Sequence, residues 1–255
     1  MTVMELSEYF DSFLHPEKFR GDSSLNGLQI QNAGLSSKPV KKVAFATDAC
    51  EYTARTAAEL GADMLFTHHG LFWGRPEPVT GSLYKRISAF ISSDIALYAS
   101  HLPLDANEEV GNNFGMARRM GLKDIKPFGE WRGMTIGAMG RFEESLSVED
   151  VVLRLFPEGE FPARIYPFGA QKISTVAFIS GQAGDDVTQA WKEGVDAYIT
   201  GEVLHQDFHL IKELGMTVIE GGHYQTETVG VRLVAEKLKK ETGIETVFID
   251  FPTGL

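Results

Sequence analysis

A chain of 255 residues with 43% hydrophobic and 23% charged residues is long enough for one large or two modest domains around a real core. Its formal net charge of −11 argues against a general duplex-DNA binder, which needs a concentrated basic surface, and leaves open only a local basic pocket for a small anion. The single cysteine, Cys50, cannot form an internal disulfide, and MTVMELSEYFDSFLHP at the start carries acidic residues and no continuous apolar run. The expectation is neither signal peptide nor membrane span, with a cytoplasmic location as the default.

In chain order, SLNGLQI (24–30) reads as an Asn26-Gly27 turn before an apolar run. Residues 43–67, VAFATDACEYTARTAAELGADMLFT, read as strand, helix, helix-stopping glycine and strand. Then comes FTHHGLFW (66–73), with His68 and His69 side by side. Inside a strand, neighbouring side chains point to opposite faces, but past the strand end that alternation lapses. The pair could then serve one site, or two atoms within it. LYKRISAFISSD reads as a helix, IALYAS (95–100) as a buried strand, and the chain runs on into SHLPLDAN, which spaces His101 and Asp105 as H-x-x-x-D.

The middle of the chain holds a strand, GMTIGAMGRF, and a helix opening at Ser147 with Asp150 completing a capping box. Residues 176–200, VAFISGQAGDDVTQAWKEGVDAYIT, then repeat 43–67 without a gap, matching at Val43/Val176, Gly61/Gly194, Asp63/Asp196 and Thr67/Thr200 among others. EVLHQDFHLIKELG reads as a helix and MTVIE (216–220) as a strand, before GGHYQTET spaces His223 and Glu227 as H-x-x-x-E. Continuous apolar strands alternating with helices predict an α/β fold of two duplicated units with helix-covered sheets. No linker separates the halves, so close packing is expected rather than a tether.

In both halves an imidazole follows the third strand, and a carboxylate comes four residues later where a helix is expected to begin. Ligands gather at the carboxyl ends of strands in such sheets. Mixed nitrogen and carboxylate donors suit zinc, iron, manganese, cobalt or nickel. Two adjacent histidines cannot easily converge on one ion, but each can take one of two, and Glu227 could bridge ions about 3.5–4 Å apart. His205 and His209, at i and i+4 on the expected helix, are a competing pair without the H-E-x-x-H arrangement. Cys50 reads as a structural thiol, and Arg75, Lys85 and Arg86 as surface residues, although Arg75 could meet an anion.

SLNGLQI, FTHHGLFW, HLPLDAN, YITGEVLHQD and GGHYQTE, in that order across nearly the whole chain, resemble the NGG-interacting-factor-three-like dinuclear-metal proteins, known as GTP cyclohydrolase I type 2 homologues. The resemblance implies two intertwined α/β halves, here drawn as 1–125 plus 222–255 and as 126–221, and a toroidal homohexamer. It implies two divalent ions per chain: His69 and Asp105 would bind one, His68 and His223 the other, and Glu227 would bridge them. His101 and His205 fall outside that ligand set; His101 remains a candidate proton shuttle. Gly70 stands where the family usually has Pro after the paired histidines. The implied activity is a metal-dependent hydrolase of a nucleotide or related heterocycle, with ring opening of GTP and formate release. A phosphoesterase, or a non-catalytic protein of metal handling or protein interaction, stays open beside it.

Overall fold

The computed structural model describes residues 1–159 and 162–255. Among them the chain forms two compact units, Met1–Leu104 with Gly230–Phe251, and Asp105–Val229 with Pro252–Leu255. The helices are α1 (Val3–Leu14), α2 (Glu51–Glu59), α3 (Gly81–Ser92), α4 (Leu102–Asp105), α5 (Asn112–Arg119), α6 (Val148–Leu155), α7 (Val187–Glu193), α8 (Asp207–Leu214) and α9 (His223–Thr242). The strands are β1 (Gly27–Ile30), β2 (Lys42–Asp48), β3 (Met64–His69), β4 (Ala96–Ala99), β5 (Lys123–Trp131), β6 (Met134–Ser147), β7 (Arg164–Pro167), β8 (Lys172–Gln182), β9 (Ala197–Glu202), β10 (Thr217–Glu220) and β11 (Glu245–Phe248). In sequence the chain passes from one unit to the other inside α4, inside α9 and again after Phe251.

The first unit is a five-stranded mixed sheet ordered β1-β4-β3-β2-β11, with β1 antiparallel to its neighbour and the rest parallel. Register sets Phe45, Phe66 and Tyr98 abreast on one face. Helix α1 covers that row. Its capping box joins Thr2 and Glu5, and its apolar positions Val3, Leu6, Phe10 and Leu14 fall on one side. Phe10 packs 4.9 Å from Phe66 and 5.0 Å from Tyr98, centroid to centroid. Burying a side chain of that size contributes about 1.5–3 kcal/mol. Strand alternation sends Ala44, Ala46, Leu65 and Leu97 to the opposite face, into a cluster with Ala54 and Ala57 of α2 and Ala89 and Phe90 of α3.

The second unit is a six-stranded mixed sheet ordered β5-β6-β8-β9-β10-β7, in which β8, β9 and β10 run parallel. Its parallel part repeats β2-α2-β3-α3-β4 as β8-α7-β9-α8-β10. The matched residues do matched work. Gly61 and Gly194 both sit at φ +69°, the left-handed turn that ends each helix. Asp63 Oδ2 accepts from the backbone N–H groups of Lys41 and Lys42 at 2.8 and 3.3 Å; Asp196 Oδ2 accepts from Ser174 and Thr175 at 2.8 and 2.9 Å. Each aspartate ties the start of one strand to the start of its neighbour. Two mixed sheets covered by helices, from a duplicated unit, are the architecture the repeat predicted.

Ser147 and Asp150 form the expected capping box at the start of α6. One helix boundary differs. EVLHQDFHLIKELG is not helical throughout, because Glu202 closes β9 opposite Gln182 and the helix starts only at Asp207. The Asp207 carboxylate accepts from Leu204 N–H at 2.9 Å and so holds the turn in between. Among the described residues, no helix is long and apolar enough to cross a membrane.

Candidate metal centre

In the first unit the paired histidines are the last two residues of β3, inside the strand rather than beyond it. They are anchored towards different neighbours. His68, fully buried, donates from Nδ1 to the Ser100 carbonyl at 2.9 Å, on the β4 side. His69 donates from Nδ1 to Asp48 Oδ1 at 2.8 Å, on the β2 side, where Asp48 is its register partner. Their rings lie 4.7 Å apart and tilted by 51°. The two rings are thus held on opposite sides of β3, one from β4 and the other from β2.

His101, just past β4, joins them: its ring centroid is 5.1 Å from that of His68 and 5.7 Å from that of His69. Donor atoms of the three lie within 4.8 Å of one another, a group able to hold a cation. SLNGLQI, read as a plain turn, turns out to hold this loop. Asp22, its side chain only 1% exposed, accepts from Ser24 N–H and from His101 Nδ1, both at 2.9 Å, and from Asn26 Nδ2 at 2.9 Å and Leu102 N–H at 3.1 Å. Asn26 Oδ1 accepts the His101 N–H at 2.7 Å. Burial opposes ionisation of Asp22, but the His101 bond and charge, with Asn26 and the Ser24 amide, outweigh it and hold the carboxyl below its usual range.

Gln29, in the same segment, fixes the other loop. Its Oε1 accepts from Leu71 N–H at 2.7 Å, and its Nε2 donates to the Leu25 carbonyl at 2.6 Å. A Cβ on Gly70 would stand 2.2 Å from Gln29 Nε2 and 2.7 Å from Ala99 Cβ. A side chain at position 70 would therefore require Gln29 to move and would crowd Ala99.

In the second unit His223 opens α9 and Glu227 follows one turn later. His223 Nδ1 donates to Glu202 Oε1 at 2.6 Å, and its Nε2 meets Glu227 Oε2 at 3.1 Å. Burial disfavours the charged imidazole, yet the bonds and charges of Glu227 and Glu202 prevail and raise its pKa to about 9. Gly181, at φ +66°, makes room: a Cβ there would come 2.4 Å from Glu227 Oε1. Asp105 is buried and accepts from Asn112 Nδ2 at 2.9 Å and Ser180 Oγ at 2.8 Å. It ends the short helix α4 instead of opening one.

The competing pair fails on geometry. His205 lies in the turn before α8, so it shares no helical face with His209; both are exposed, and neither enters a metal-capable group among the described residues. Cys50 is half-buried and caps α2, its Sγ accepting from Thr53 N–H at 3.5 Å. Arg75, Lys85 and Arg86 are exposed. The anchors Asp22, Asp48 and Glu202, and the spacer Gly181, hold the candidate site's side chains in place and were missed in the sequence reading. Only Glu202, inside YITGEVLHQD, carried any signal.

A family model described as Duf34/NIF3 (NGG1p interacting factor 3) matches residues 1–253. The chain belongs to that family. Among NIF3 relatives, a Treponema pallidum protein named GTP cyclohydrolase 1 type 2 homolog is 47% identical with all of both chains covered. An Archaeoglobus fulgidus protein of the same name is 40% identical, again over all of both. Of the solved structures, TTHA1606 from Thermus thermophilus superposes with a TM-score of 0.89 at 41% identity over 100% of each chain. Reduced HcgD from Methanocaldococcus jannaschii gives 0.84 at 27% over 98% of each. This NIF3 chain thus has the family's duplicated α/β fold, and groups of histidines and carboxylates able to hold a metal ion.

Proposed function

We propose that this chain is a dinuclear metal protein that hydrolyses a nucleotide or related heterocycle, with His68, His69, Asp105, His223 and Glu227 as the ligands. The observation that carries the reading is the state of the donors. His68 and His69 each have Nδ1 directed at an oxygen acceptor, at 2.9 and 2.8 Å, which fixes the tautomer that offers Nε2 to a cation, and His223 has Nδ1 on Glu202 at 2.6 Å, so that a cation would replace the proton its Nε2 shares with Glu227. Asp105 and Glu227 are buried carboxylates held in place by Asn112 and Ser180 and by His223, and buried charge of this kind is paired or coordinates a metal. A borderline divalent ion fits this mixed set; five ligands for two ions leave positions for water and substrate. The family resemblance supplies the assignment of His69 and Asp105 to one ion, His68 and His223 to the other, and Glu227 to both.

When bound, the ions supply Lewis acidity and an activated nucleophile at neutral pH. The chain's own residues do the rest. Asp48, Glu202 and the Ser100 carbonyl hold three imidazoles in orientation; Asn112 and Ser180 hold Asp105. The names of the relatives favour GTP as the substrate, and the family resemblance implies opening of its imidazole ring with loss of formate. A homohexamer, as the resemblance implies, is part of this proposal.

The test is formate release from GTP, followed beside phosphate release, for protein loaded with each of several divalent ions. Metal-dependent formate is the expected result. Phosphate without formate would replace the cyclohydrolase reading by a phosphoesterase, and loaded protein that turns over neither would leave metal handling as the function.

A further inference from the structure

Three of the four imidazoles of the first unit, those of His68, His69 and His101, are built alike, although the family ligand set contains only two of them. His68, His69 and His101 each have Nδ1 fixed on an oxygen acceptor, at 2.9, 2.8 and 2.9 Å. A carbonyl or an ionised carboxylate can only accept, so in each case Nδ1 carries the proton and Nε2 is the nitrogen offered to an electrophile. Two of the three acceptors, Asp48 and Asp22, are carboxylates. A carboxylate behind a histidine is the arrangement found behind metal-ligating imidazoles, where it orients the ring and makes it more basic.

His101 has the most elaborate support of the three. Asp22 is buried and uses its oxygens on four donors, Asn26 fixes the backbone of His101 itself, and the indole of Trp73 stands against the imidazole at 76° with centroids 5.1 Å apart. Donor atoms of His68, His69 and His101 fall within 4.8 Å of one another. A histidine that only lined a wall would need neither a fixed tautomer nor a buried anion to fix it.

We propose that His101 Nε2 is a third imidazole donor to metal in the first unit, and that Asp22 and Asn26 are positioning residues acting through it. The inference rests on the reading that His68 and His69 hold metal, and adds a ligand to that set. The segment 22–26 thereby acquires a function: it is the outer support of a metal ligand 75 residues further along the chain.

Full-length metal-free protein is titrated with Co2+ against a competing chelator, and the visible absorption is read for the wild type, His101→Ala and Asp22→Asn. His101→Ala is expected to weaken Co2+ binding by about 10–100-fold and to shift the absorption band, with added imidazole restoring the band. Asp22→Asn is expected to weaken binding by about tenfold with the band in place, since the donor remains. Wild-type affinity and an unmoved band in His101→Ala would overturn the proposal. Should that variant fail to fold, wild-type protein labelled with 15N-histidine and loaded with 113Cd2+ decides: the His101 Nε2 resonance is expected to split by coupling to cadmium. Splitting confined to other histidines would overturn the assignment of His101 alone, whereas wild-type protein that takes up neither ion overturns the metal reading beneath it.

Discussion

Gly70 and Gly181 act by leaving space. Gly70→Ala would drive a methyl group into Gln29 and Ala99, and overpacking of this kind costs about 1–3 kcal/mol. Thermal unfolding should show that loss, and Gln29→Ala in the same chain should recover only part of it, because Ala99 still stands 2.7 Å away. Gly181→Ala should be felt at Glu227, which must move for the new Cβ, so metal affinity should fall more than stability does; equal retention of both would show that the carboxylate is not held where described. In the sequence, His101, Asp105, His223 and Glu227 stood out because their spacing after the third strand of each half repeats, and His68 and His69 because they are adjacent. Their anchors did not. Asp22 reaches His101, Asp48 reaches His69 and Glu202 reaches His223 only through the fold, the partners standing at least 21 positions apart in sequence. The duplication even hid one spacer: the position that is Asp48 in the first copy is Gly181 in the second, where a side chain would collide with Glu227.

At the scale of elements, the repeat was readable because both copies must end a helix with a left-handed glycine and begin the next strand at the same point. Asp63 and Asp196 state that requirement chemically. Asp196→Ala removes the acceptor from two backbone amides and from the Thr175 hydroxyl, and should destabilise the second unit by about 1–3 kcal/mol in denaturant unfolding. An unchanged midpoint would mean that water replaces the carboxylate without loss. The segment around His205 was misread as helix because its residues tolerate helix; pairing of Glu202 with Gln182 overrides that local preference. Asn26 was misread as a plain turn residue because its partner is a backbone amide at His101.

For the molecule as a whole, the decisive balance is between protons and cations. In metal-free protein His223 holds its proton up to about pH 9, clasped between Glu202 and Glu227. This raised value stabilises the fold fully below the ordinary histidine value of 6.5, and the contribution is lost as pH rises through about 9. A cation bound at Nε2 must displace that proton. Binding should therefore release about one proton per His223 site at neutral pH, and apparent affinity should climb with pH until about 9 before levelling. Calorimetric titration in buffers of differing ionisation enthalpy measures the release; affinity that stays flat from neutral pH up to about 9 would place the cation elsewhere.

The central claim is that two ions share Glu227. It is tested most directly by elemental analysis of ions per chain in protein dialysed against metal, for the wild type and for Glu227→Ala, with circular dichroism confirming that both are folded. The account predicts about two ions in the wild type and loss of at least one in folded Glu227→Ala. Folded wild-type protein without bound metal, or a variant that keeps the full complement, would contradict it.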